Sequence, residues 1–126
     1  MRAIDTNVLV RLLARDDPKQ VARSEAFVTG GAWVSHIVLV ECMWVLESVY
    51  ERTPKQIATA VEMLLSHETL AVQDSDVVER ALESSRTGPK LGFSDCLIVE
   101  VARKAGHTPL GTFDRNLAKI DGTKRL

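Results

Sequence analysis

Four carboxylates in this 126-residue chain each follow or interrupt an apolar run. Asp5 follows Ala3-Ile4, and Glu41 is the only polar residue between Ile37 and Leu46. Asp95 precedes Cys96-Leu97-Ile98-Val99, and Asp114 closes Pro109-Leu110-Gly111-Thr112-Phe113. Burying a lone carboxylate costs several kcal/mol, so this pattern implies acids that are neutralised or gathered around a cation. Oxygen ligands without supporting His or Cys favour Mg²⁺ or Mn²⁺ over zinc. The chemistry this points to is metal-assisted, with phosphodiester hydrolysis as the leading candidate.

Each acid also has a plainer reading. Asp5 is a good N-cap for a helix over residues 6–13. Glu41 is poor at caps and lies among large apolar neighbours, which leaves a buried Glu paired with an arginine or held protonated. Ser94 or Asp95 can cap a helix running to Ala105, where the helix dipole also favours a carboxylate. Asp114 can cap residues 115–119. Taken jointly, three acids at strand–helix junctions and one inside an apolar helix argue for a shared site.

The elements that must position them are marked by their starts. Asp17-Pro18-Lys19-Gln20 and Thr53-Pro54-Lys55-Gln56 share one logic: a capping side chain, Pro at the first helical position and a Gln that reaches back. The first is expected to open a helix ending near Gly30-Gly31. The second carries Ile57, Val61, Leu64 and Leu65 on one face. A third helix is expected after Asp74, with Val77, Val78, Ala81, Leu82 and Ser85 inward, fading before Gly88-Pro89. The helix from Ile37 to Ser48 is apolar nearly all round, which fits a buried helix or one that meets a second subunit. Trp44 and Val45 share the face of Glu41; Leu39, Met43 and Leu46 point the other way.

Short apolar pieces at residues 2–4, 32–34, 70–72 and 108–112 read as strands. Their alternation with helices predicts an α/β fold, a mostly parallel sheet with helices on both faces. In such sheets ligands bind at the carboxyl edge, where Asp5 falls, with Thr6 and Asn7 at hand to hydrogen-bond a carboxylate or water. The stretch from Gly88 to Gly92 is the most loop-like.

The length suits one compact domain, residues 1–126. The longest apolar run is too short to span a bilayer, and neither a membrane segment nor a secretory signal is expected. Cys42 and Cys96 fit two small buried hydrophobes in a reducing cytoplasm; a redox-sensitive pair is the other reading. A net charge of −1 gives no overall nucleic-acid signature. Contacts to phosphate would have to come from a local cluster, and Arg115, Lys119, Lys124 and Arg125 supply one unless they are simply a solvated terminus. There is no G-x-S-x-G elbow, no phosphate loop, and no metal-ligand spacing among His36, His67, His107 and the cysteines.

Ile4-Asp5-Thr6-Asn7-Val8-Leu9, Val34-Ser35 followed by Glu41, Gly92-Phe93-Ser94-Asp95-Cys96-Leu97-Ile98, and Thr112-Phe113-Asp114 together resemble the PIN-domain proteins, and within them the VapC toxins of toxin–antitoxin pairs. The order and spacing match over nearly the whole chain. The resemblance implies a PIN-like three-layer α/β/α sandwich and an Mg²⁺- or Mn²⁺-dependent endoribonuclease neutralised by a cognate antitoxin. It places the family's acids at Asp5, Glu41, Asp95 and Asp114 and a small polar partner at Thr112. It also implies a cytoplasmic protein that commonly forms a homodimer. In that reading Asp5 and Asp95 are the main metal ligands, Glu41 and Asp114 complete the pocket, and Thr6, Asn7 and Thr112 orient ligands or water. Two alternatives stay open: a solitary PIN nuclease of RNA processing, and a module that grips RNA or protein without cutting.

Overall fold

The computed structural model describes residues 1–88 and 91–126. Pro89 and Lys90, at the centre of the expected loop, lie outside the described residues. The described chain forms two compact units, residues 1–75 and 76–126.

The first unit runs β1 (Arg2–Ala3), α1 (Thr6–Ala14), α2 (Pro18–Val28), β2 (Ala32–Val34), α3 (His36–Ser48), α4 (Pro54–Ser66) and β3 (Leu70–Val72). Its three strands form one parallel sheet in the order β1-β2-β3, with Ala3 opposite Trp33 and Trp33 opposite Ala71. The helix starts are fixed by side chains, as the sequence implies. Asp17 accepts from Gln20 N at 3.1 Å and begins α2. Thr53 and Gln56 form a full capping box on α4. Gln20 departs from expectation. Its Oε1 accepts from Arg11 Nε at 2.6 Å instead of reaching back to its own cap, because the α1 guanidinium offers a charged donor.

That guanidinium is the centre of a clasp joining the ends of α1 and α3. Arg11 Nη1 donates to Asp16 Oδ1 at 2.7 Å and to the Tyr50 hydroxyl at 3.0 Å, and Tyr50 in turn donates to Asp16 Oδ2 at 2.7 Å. The Tyr50 hydroxyl, with Arg11 behind it, holds the Asp16 carboxyl below its ordinary value of 3.8.

The core of this unit gathers Leu9, Val10, Val34, Leu39, Met43 and Val61. α3 is oriented as its wheel implies: Leu39, Cys42, Met43 and Leu46 are buried. It is not covered all round, however. Ile37 is 79% exposed and Trp44 63%, so within a single chain the outer face stays open.

The second unit carries α5 (Ser75–Thr87, whose first residue lies at the boundary), α6 (Phe93–Lys104), β4 (Leu110–Thr112), a 3₁₀ turn (Leu117–Lys119) and β5 (Thr123–Arg125). α5 buries Val77, Val78, Ala81 and Leu82, as expected. β4 is shorter than the expected 108–112. It pairs in parallel with β5, a strand that composition does not announce, with Gly111 opposite Lys124 and Thr112 opposite Arg125. Arg103, near the end of α6, donates from Nη2 to Asp121 O, and its guanidinium lies where a Cβ on Gly122 would be 2.8 Å away. Gly122 also has φ +86, so only glycine suits this turn.

Two outcomes test this packing. Leu39→Ala should lower the unfolding free energy by about 2–5 kcal/mol, whereas Trp44→Ala should change it by no more than about 0.5 kcal/mol. Urea titrations of both variants, at concentrations where sedimentation shows a monomer, decide whether α3 faces as described, since a large cost at Trp44 there would turn the helix round. The second concerns acid. Asp16 has a folded pKa below its unfolded one, so its contribution is complete above pH 3.8 and fades as pH falls through the lower folded value. Asp16→Asn should therefore melt below the wild type at neutral pH. Thermal melts should show the gap closing below pH 3.8.

Candidate acidic site

The first unit brings Asp5 and the start of Glu41's helix to one sheet edge. Ile4 N donates to Trp33 O at 3.2 Å, extending the β1–β2 ladder to the residue before Asp5. Asp5 Oδ1 then accepts from Val8 N at 3.1 Å and caps α1, so its plainer reading as a cap holds. Ser35 Oγ accepts from Val38 N at 3.1 Å and caps α3, which packs against α1. Glu41 lies about one and a half turns into that helix.

Sequence reasoning missed what secures the start of α3. Gln73, just past β3, donates from its N to Val34 O at 2.8 Å and accepts from His36 N on Oε1 at 2.9 Å. Its carbonyl lies 2.7 Å from His36 Nε2. A carbonyl only accepts, so Nε2 carries the proton. The only sequence signal was position: both residues follow strands that end on the same edge.

In the second unit, Asp114 follows β4. Its Oδ1 accepts from Asn116 N at 2.7 Å and Leu117 N at 3.0 Å, capping the 3₁₀ turn. Thr112 Oγ1 accepts from Asp114 N at 3.0 Å, so Thr112 does act on the last acid. Asp95 lies inside the first turn of α6 and is not its cap. The N-cap is Gly92, with no side-chain bond, which overturns the reading of Ser94 or Asp95 as the cap. The helix starts earlier because Phe93 is itself buried in the row with Cys96, Leu97 and Glu100.

The structure also corrects the expected burial of the acids. Asp5, Glu41, Asp95 and Asp114 are all exposed, and Glu41 stands on the open face of α3 with Trp44. Among the described residues the buried carboxylate is Glu100, answered by Arg103 Nε at 3.3 Å. Asn7 is exposed and Thr6 half-buried beside Asp5.

What the four acids share is uncommitted oxygen. Asp5 and Asp114 spend Oδ1 on backbone N–H groups and leave Oδ2 without a hydrogen bond among the described residues. Glu41 and Asp95 have no hydrogen bond or ion pair at all among them. An oxygen-only donor set of this kind suits a hard divalent cation. Within either unit the described residues hold no group of three or more acids, histidines or cysteines spaced for a metal. Asp5 and Glu41 belong to the first unit and Asp95 and Asp114 to the second.

Two further features of this region carry no chemistry. Burial pushes the Cys42 thiol up to about 12, and burial with the Asp95 and Glu100 charges pushes Cys96 up to about 11. Both are free thiols acting as small core residues. The roomy groove of the first unit, about 810 Å³, is lined by Leu12, Leu13, Val28, Leu46, Met63 and Leu64 among others and includes none of the four acids.

The chain matches the PIN domain family over residues 3–123, a span that contains all four acids. It belongs to the PIN domain family. Its fold class is accordingly the α/β/α sandwich on a parallel sheet that the strand–helix alternation implies. Among solved structures, the chain is similar to the VapC20 toxin of Mycobacterium tuberculosis, described as cleaving the sarcin–ricin loop. The identity is 21%, with 94% of this chain and 93% of that one covered, at a TM-score of 0.45. No curated protein matches. No helix among the described residues is long and apolar enough to cross a membrane.

The capping role of Asp5 in this PIN domain has a measurable signature. Asn caps as well as Asp, so Asp5→Asn should keep the wild-type stability, while Asp5→Ala should lose about 0.5–2 kcal/mol. Glu41→Gln removes no partner and should change stability by no more than about 0.5 kcal/mol. Denaturant unfolding of the three variants checks this, and an Asn variant as unstable as the Ala variant would deny Asp5 its capping role.

Proposed function

We propose that this PIN domain is an Mg²⁺- or Mn²⁺-dependent endoribonuclease and the toxin of a toxin–antitoxin pair. The observation that carries the reading is a PIN family match that spans four exposed acids, each with an uncommitted oxygen. Asp5 and Asp95 would hold the cation, with Glu41 and Asp114 completing the acidic set. When bound, the cation supplies Lewis acidity towards the scissile phosphate and makes water easier to deprotonate.

The chain's own residues do the positioning. The bond from Val8 N fixes the Asp5 carboxylate and leaves Oδ2 uncommitted. The Gln73–His36 clamp fixes the origin of the helix that carries Glu41. Thr112 holds the backbone of Asp114 while the 3₁₀ turn holds its Oδ1. Thr6 and Asn7 follow Asp5 directly and would orient ligands or water there. Four like charges repel phosphate, so the cation would assist RNA binding as well as support cleavage. The partners of this reading are RNA, a cognate antitoxin and a second copy of the chain, in the cytoplasm. The open face of α3, with Ile37 and Trp44, is available to a homodimer.

The test is cleavage of total cellular RNA by purified protein with Mg²⁺, with Mn²⁺ and with chelator. Discrete fragments are expected with metal, to vanish with chelator and to be largely lost in Asp5→Asn, which should melt with the wild type. Cleavage that persists in the chelator or in the variant overturns the assignment. Growth arrest on expression, relieved by the product of a small neighbouring gene, separates the toxin from a processing nuclease.

A further inference from the structure

Phe113 is the most exposed aromatic side chain among the described residues, at 80%. It does not sit on a loose end. Leu126 N donates to Thr112 O at 2.9 Å just before it, and Asp114 N donates to Thr112 Oγ1 just after it. Asp114 is pinned again by the two backbone donors of the 3₁₀ turn and by Ala118 N, which donates to its carbonyl at 3.0 Å. A ring held on an ordered turn and left in water has no folding role in its own unit.

The charge around it is specific. β5 sets Lys124 opposite Gly111 and Arg125 opposite Thr112, the two residues that lead to Phe113, and Arg115 follows two positions later. All three cations are exposed, and none has a carboxylate partner among the described residues. Asp114 and Arg115, which follow the ring, are charged and exposed, whereas the core of a protein–protein patch is depleted of charge. An exposed ring whose chain and ladder neighbours include unpaired cations fits a ligand that carries both flat rings and phosphates. Single-stranded RNA has this character, because its bases are free to stack on aromatic side chains.

We propose that Phe113 is the stacking platform for an unpaired RNA base beside the candidate acid Asp114, with Arg115, Lys124 and Arg125 taking the adjoining phosphates. The proposal deepens the ribonuclease reading and rests on it. It assigns the site a single-stranded substrate and a residue that sets which nucleotide lies next to Asp114.

The experiment compares binding of a fluorescent adenosine oligoribonucleotide, and of the same strand with abasic riboses, by anisotropy in Mg²⁺. All proteins carry Asp5→Asn so that the RNA stays intact. Phe113→Ala should weaken binding to the normal strand roughly tenfold or more. Phe113→Trp should restore it, and the abasic strand should bind equally well to the proteins with and without the ring. With Asp5 intact, Phe113→Ala should raise KM far more than it lowers kcat.

Equal binding of the normal strand with and without the ring overturns the proposal, as does a loss of the same size on the abasic strand. A change in sedimentation on Phe113→Ala with RNA affinity unaltered overturns it in favour of a protein interface. If wild-type protein cuts RNA well while Phe113→Ala binds and cuts unchanged, the stacking role falls alone. If no metal supports cleavage yet the base-dependent affinity still needs Phe113, the ribonuclease reading falls and the stacking role stands.

Discussion

The constraint on which this structure depends is the demand of helix N-termini for acceptors. A helix leaves its first backbone N–H groups without internal partners. Where a short strand turns directly into a helix, the residue at the junction must supply the acceptor. In the first unit that residue is Asp5 for α1 and Ser35 for α3. In the second, Asp114 serves the 3₁₀ turn after β4. Capping therefore brings carboxylates to strand ends for structural reasons, and each cap uses only one oxygen of its carboxylate. The other oxygen is left over at the strand end, held in place by the bond its twin makes. Glu41 and Asp95 have no such anchor. Their geometry follows from the helices that carry them, and those helices begin at fixed points: α3 at the Gln73–His36 clamp and α6 at Gly92.

How far the sequence can be read follows from where each signal resides. The caps at Asp17 and Thr53, the strands at residues 32–34 and 70–72, and the inner face of α5 are local patterns, and the structure reproduces them. Glu41 reads as buried because its neighbours in the sequence are apolar. In a helix with so little polar contrast the wheel divides the residues correctly but cannot say which side is covered. That is decided by packing against other helices, chiefly α1, which lies earlier in the chain, and also α4. β5 is not legible because Thr-Lys-Arg has no strand-like alternation of its own; its ladder with β4 makes it a strand. Desolvation does govern a carboxylate in this chain, but not one of the four acids. Glu100 is the carboxylate that the described chain buries, and it is answered by Arg103 three residues on. Membership of the PIN family is legible because it rests on the order of motifs along the chain, and order survives misjudged burial.

Exposure of the four acids changes what a cation would do for this protein. Buried ligands make a metal part of the folding energy, as in small structural sites. Exposed carboxylates with caps already satisfied ask nothing of a metal in order to fold. Besides these caps, the ties are the Arg11–Asp16–Tyr50 clasp of the first unit and the Lys104–Asp76 and Arg103–Glu100 pairs of the second. On the proposed reading a metal-dependent activity would be lost and regained without unfolding, because Asp5 and Asp114 keep their caps through Oδ1 whether or not a cation takes Oδ2.

The near-neutral charge of the chain, −1 overall, is consistent with an RNA ligand once its distribution is considered. Part of the cationic charge is already committed: Arg11 to Asp16, Arg15 to Glu25, Arg103 to Glu100 and Lys104 to Asp76. Those pairs contribute little to an outside polyanion, since each cation is neutralised at close range. Arg115, Lys119, Lys124 and Arg125 are different: they are exposed and unpaired among the described residues, and they cluster in the C-terminal stretch around Asp114. Local field at a ligand is set by unpaired charge within about one Debye length rather than by the sum over the chain. A cluster of free cations adjoining an acid with a free oxygen thus suits the proposed RNA ligand: the cations would draw in its phosphates, and the proposed cleavage would still need a divalent cation.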